Sequence, residues 1–76
     1  MVKEELKIEK IRFGGKYNPG TGEVSKYPAF VDTKEHSFSL SGRIKPEQLK
    51  SLKEGQIINV FSGRTRNKSR IINKIL

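Results

Sequence analysis

From Ser37 to Ile44 apolar and polar residues alternate with a period of two, Phe38, Leu40 and Ile44 on one side and Ser37, Ser39, Ser41 and Arg43 on the other. Only an extended strand with one face in a core and the other in water separates those two sets. The chain is therefore constrained to build its core on one side of a β-sheet. Its 76 residues leave room for one domain, since a chain this short buries only roughly 60% of the surface its unfolded form exposes. A small barrel, or a sheet with one helix, suits residues 1–76 better than a layered α/β fold.

The neighbouring segments extend this pattern. Glu5–Phe13 reads as a strand whose apolar positions slip by one residue between Ile8 and Ile11, as a β-bulge near Glu9 and Lys10 would produce. Gly14–Gly22 contains Asn18-Pro19-Gly20, a turn signal with positive φ expected at Gly20. Val24–Asp32 is a second strand, with Tyr27, Ala29 and Val31 on one face and Lys26, Pro28 and Phe30 on the other; Pro28 requires an edge or a bulge. Lys45-Pro46-Glu47 opens a helix of about two turns that carries Leu49 and Leu52 and stops at Gly55. Ile57–Phe61 and Arg70–Leu76 are the last two strands. The phase of each element predicts a core of Leu6, Ile8, Val31, Phe38, Leu40, Leu49, Leu52, Ile58, Val60 and Ile72, with Phe13 also inside; Phe61 is ambiguous.

Charge is distributed unevenly over this framework. Sixteen Lys and Arg face eight Asp and Glu, a formal charge of +8, and no acid follows Glu54. The run Ser62–Arg70 holds Arg64, Arg66, Lys68 and Arg70 between two β-branched flanks, so it reads as the basic tip of a hairpin. Such a tip attracts polyanions. The plainer reading is a solvated loop that keeps the protein soluble.

Enzymatic chemistry has little to work with. There is no cysteine and one histidine, His36, in a turn beside Lys34 and Glu35. No zinc-ligand spacing occurs, and no metal or other cofactor is expected. Asp32 and Glu35 would share an open turn, which supplies no desolvated pocket to separate their pKa values. The glycines of Gly14–Gly22 lack the spacing of a phosphate-binding loop. The absence of any long apolar stretch leads to the expectation of a cytoplasmic protein with no membrane partner.

Three strands, a short helix and two strands is the order of the oligonucleotide/oligosaccharide-binding (OB) fold, a five-stranded Greek-key barrel. Phe38–Ile44 (F-S-L-S-G-R-I), Leu52-Lys53-Glu54-Gly55, and Gly55–Val60 (G-Q-I-I-N-V) resemble the third strand, helix end and fourth strand of small OB barrels. Bacterial translation initiation factor one, S1-type domains and single-strand-binding proteins are such barrels. The resemblance covers about half the chain and is one of fold. It implies a ligand groove across the second and third strands, bordered by the loops after the first and fourth. Here those positions are Lys16 and Tyr17, then Lys26, Phe30 and Arg43, then Arg64, Arg66, Lys68 and Arg70.

The expectation is a non-enzymatic binder of single-stranded nucleic acid with low sequence specificity, DNA slightly ahead of RNA. Cations would neutralise phosphates, while Phe30 and Tyr17 would stack on bases. An inverted register would instead put Phe30 in the core, and Tyr17 could simply pack its loop. The alternatives are a ribosome- or structured-RNA-binding factor and an interaction module for an acidic protein partner.

Overall fold

The computed structural model describes residues 1–76. Seven elements follow in order: β1 (Val2–Lys7), β2 (Lys10–Asn18), β3 (Glu23–Asp32), β4 (Ser37–Leu40), α1 (Pro46–Lys50), β5 (Ile57–Arg64) and β6 (Arg70–Ile75). The strands form one six-stranded sheet in the order β1-β5-β6-β4-β3-β2, antiparallel except for the β4–β6 pair. The fold is thus mostly β with one short helix. The first expected strand is two, because the chain changes partner at Ile8-Glu9: Ile8 N–H donates to Gln56 O at 2.9 Å, and Glu9 N–H donates to Asp32 O at 2.9 Å. A break replaces the expected bulge, and β1 and β2 stand at opposite ends of the strand order.

Eleven apolar side chains make the core: Leu6, Ile8, Ile11, Val31, Phe38, Ile44, Leu52, Ile58, Val60, Ile72 and Ile75. Leu40 and Leu49, expected inside, pack against this cluster but are only half-buried. Ile11 and Ile75 join it at positions outside the expected set, and Ile44 on the side that the Ser37–Ile44 alternation assigned to the core. Phe13 is a correction: it is 62% exposed. A bulge between Arg12 and Phe13 puts Phe13 opposite Pro28 and leaves Ala29 unpaired, on the part of the hairpin that runs past the core.

α1 is one short turn-and-a-half rather than two turns. Pro46 fits its first position because that residue has no intrahelical N–H bond to lose, and Glu47 sits favourably in the first turn. Gly55 (φ 86°) takes the left-handed conformation that follows, and its N–H bonds Ile8 O. In the β2–β3 turn the positive φ belongs to Gly22 (73°), not to Gly20 as expected. Gly20 N–H instead donates to the Asn18 side chain at 2.9 Å, and Gly22 N–H closes the turn on Asn18 O at 2.8 Å.

Candidate nucleic-acid interface

Residues paired across neighbouring strands share a face of the sheet. The register places Arg12 opposite Phe30, Phe30 opposite Ser39, Ser39 opposite Ile71 and Ile71 opposite Gly63. This row crosses five strands on the face turned away from the core. Phe30 is 40% exposed on it, so the inverted register that would bury Phe30 does not occur. The Arg12 guanidinium carbon lies 4.7 Å from the centre of the Phe30 ring. Arg12 is also paired with Asp32, Nε to Oδ2 at 2.9 Å and a second hydrogen bond to Oδ1 at 3.0 Å.

Asp32 titrates below its ordinary value. Partial desolvation disfavours its charge, but hydrogen bonds from Ser37 and Arg12 and the attraction of Arg12 and Lys10 outweigh it. The Arg12–Asp32 contact is the one ion pair in the protein. No other Lys or Arg makes an ion pair within the chain.

The bulge decides which side each hairpin residue takes. Beyond it, Tyr27 lies opposite Gly14 on the Arg12 side; a Cβ on Gly14 would sit 3.1 Å from the Tyr27 ring and 3.3 Å from Ala29 Cβ. Lys16, two residues further along β2, shares that side. Phe13, Gly15 and Tyr17 take the other side, together with Pro28, Lys26 and Val24. Two expectations are corrected here. Tyr27, Ala29 and Val31 do not form one apolar face, and Tyr17 and Lys26 do not line the surface that carries Phe30. The extra residue, Ala29, is in β3 and reverses Tyr27 and Lys26 relative to Phe30, whereas Tyr17 lies behind Phe30 by the ordinary alternation of β2 from Arg12.

The basic run is a hairpin tip, as expected. Arg64 and Arg70 are directly opposite each other, Thr65 N–H bonds Ser69 O at 2.8 Å, and Lys68 (φ 62°) bonds back to Thr65 O at 2.9 Å. Arg64 also donates to Lys68 O at 3.1 Å. Arg64, Arg66 and Lys68 are exposed and Arg70 is half-buried. Strand alternation does not fix Arg66, because β5 ends at Arg64. Arg43 likewise leaves the expected strand row: β4 stops at Leu40, and a turn closed by Ile44 N–H on Ser41 O carries Arg43 into solvent.

The sites thus fall on three surfaces. Phe30 and Lys16 share the outer face with Arg12; Tyr17 and Lys26 lie behind it, as does the Arg64–Arg70 pair, one residue on from Gly63–Ile71; Arg66 and Lys68 lie on the turn beyond the sheet. The start of β6 lies beside Ser39, whereas β2 and β3 run on past Leu40 in the other direction. Tip and arm therefore border opposite ends of the Phe30–Ser39 row. Glu4, Glu5, Glu9 and Glu35 line a hollow of about 280 Å³ with Lys7, Lys34 and His36, and Glu4 also borders a smaller hollow beside Arg64 and Arg70. No group of three metal-ligating side chains converges in the protein, and no helix is long and apolar enough to cross a membrane.

Sequence reasoning missed Arg12. Counting back from the turn, where Asn18 faces Glu23, would have set Arg12 within one residue of Phe30. No family model, no curated protein and no solved structure matches the chain.

Proposed function

We propose that this protein is a non-enzymatic binder of single-stranded nucleic acid, with single-stranded DNA slightly preferred over RNA and little dependence on sequence. The observation that carries the reading is the outer row: an exposed Phe30 with Arg12 on one flank and, just beyond the row's β5–β6 end, a basic hairpin tip that makes no ion pair. Phosphates would be held by Arg64, Arg66, Lys68 and Arg70 at one end and by Lys16 at the other. Bases would lie over Phe30.

The OB-type barrel belongs to the same proposal. β1 and β2 would be halves of one bent strand, with Ile8-Glu9 as the point at which the chain passes from the β5 ladder to the β3 ladder. The parallel β4–β6 pair supports this reading, because a five-stranded Greek-key barrel closes through such a pair between its third and fifth strands.

Binding curves for mixed-sequence single-stranded DNA, duplex DNA and a structured RNA, each at several salt concentrations, test the proposal. Tightest binding to single strands, weakening steeply with salt, is the expected result. A preference for structured RNA would favour a ribosome-directed factor. Failure on all three would favour an acidic protein partner.

A further inference from the structure

β2 ends the strand order, and its outer edge is open. Ile11 N–H leaves the ladder to bond the Glu54 carboxylate at 3.2 Å. In an antiparallel ladder the backbone groups of alternate residues point to alternate sides. Phe13, Gly15 and Tyr17 therefore turn their N–H and C=O groups outward. On the core side of the same stretch Phe13, Tyr17 and Val24 are each 62–63% exposed. A two-stranded ribbon with an uncovered apolar face is marginal in water.

From these features we infer that β2 pairs with the β2 of a second copy of this chain, antiparallel about a twofold axis at Gly15. In that register Gly15 meets Gly15 of the other copy, and Phe13 meets Tyr17 twice. All the outward backbone groups of the three residues then find partners. The two aromatic pairs fall on the apolar face, where each contributes to sheet stability. Lys16 meets Gly14, so no like charges are directly opposed. Residues 10–18 contain no proline to block the edge. Pairing along β3 is poorer, since Pro28 has no N–H to offer.

Surface area points to the same occupant. The chain exposes 5784 Å², whereas a compact protein of 8.7 kDa exposes about 4,700 Å². The excess of roughly 1,000 Å² is comparable to the ~800 Å² that each partner contributes to an interface of standard size. The radius of gyration, 12.9 Å, likewise exceeds the about 11 Å of a compact chain this long. This inference does not depend on nucleic-acid binding.

Each copy carries +8, so self-association opposes charge and should strengthen as salt is raised. Binding to a polyanion does the reverse. Sedimentation equilibrium of the full chain without nucleic acid, from micromolar to millimolar concentration, should show the mass rising from 8.7 kDa toward twice that value, at lower concentration in high salt. Gly15→Pro, which removes an outward N–H that no group within the chain accepts, and Phe13→Ser/Tyr17→Ser should each abolish the rise while the circular dichroism spectrum stays that of the wild type. Gly15→Cys should oxidise to a covalent dimer, because paired Cα atoms about 5.5 Å apart are within disulfide reach, whereas Ser25→Cys should not. At Gly15 a Cβ meets only Val24 Cγ1 closely, at 3.3 Å. A single-chain mass at every concentration together with no Gly15→Cys cross-link overturns the inference. So does association that both edge variants leave unchanged, or a rise in mass seen only when oligo(dT) is added.

Discussion

Arg12 holds two partners at once, the Phe30 ring at 4.7 Å and the Asp32 carboxylate at 2.9 Å, and so ties β2 to β3 at the last regular pairs before the bulge. A cation over an aromatic face is attracted to its negative quadrupole. The same guanidinium is anchored by the Asp32 carboxylate through two contacts, Nε to Oδ2 at 2.9 Å and Nη2 to Oδ1 at 3.0 Å. Phe30 is thereby presented to solvent in a fixed setting, one flank already bearing positive charge.

This cluster makes stability depend on pH. The folded pKa of Asp32 is below its ordinary value of 3.8, so the folded protein binds that proton less readily than the unfolded chain. The stabilisation is complete above the unfolded pKa and is lost as pH falls through the lower folded value. Asp32→Asn should be less stable than wild type at neutral pH, and the difference should shrink in acid. Urea midpoints across that range measure it; a gap that stays constant would mean that Asp32 is not held by Arg12.

Core truncations should divide sharply. Ile72→Ala and Phe38→Ala should cost about 2–5 kcal/mol, since both side chains are fully enclosed. Phe13→Ala, at an exposed position, should change stability by no more than about 0.5 kcal/mol at concentrations where the chain is monomeric. Denaturant melts of the three variants check how far along β2 the core extends, and a large loss at Phe13 would contradict its exposure.

Replacing Arg64, Arg66 and Lys68 together with Ala should weaken binding to oligo(dT). The slope of log K against log salt should fall by roughly 0.7 for each phosphate that is no longer neutralised. Folding should survive, because these side chains are exposed. If affinity and slope are both unchanged, the tip is only a solvated loop.

Phe30→Ala should reduce affinity for single strands by about 1–3 kcal/mol while leaving duplex affinity nearly untouched, because duplex bases are already stacked. Tyr17→Ala, on the other side of the hairpin, should affect oligo(dT) binding less. Fluorescence anisotropy with matched single-stranded and duplex probes separates the two effects. Equal losses on both probes would remove stacking from the interface.

Period and turn chemistry made the strands, the short helix and the basic tip legible in the sequence, because these depend on residues close together in the chain. Phe38, Val60 and Ile72 were recognisable as core from alternation alone. Alternation failed where pairing shifts by one residue: the bulge opposite Arg12 sent Tyr27 to a side its own strand does not encode, while Phe13 kept the side of Ile11 but lies past the end of the core. The sequence by itself therefore determined which segments are extended and where positive charge accumulates. Only the tertiary structure decided which face each side chain occupies, that Arg12 completes the Phe30 site, and that Tyr17 and Lys26 lie behind it. Those outcomes depend on the register between strands, a relation between distant residues that local preference cannot specify.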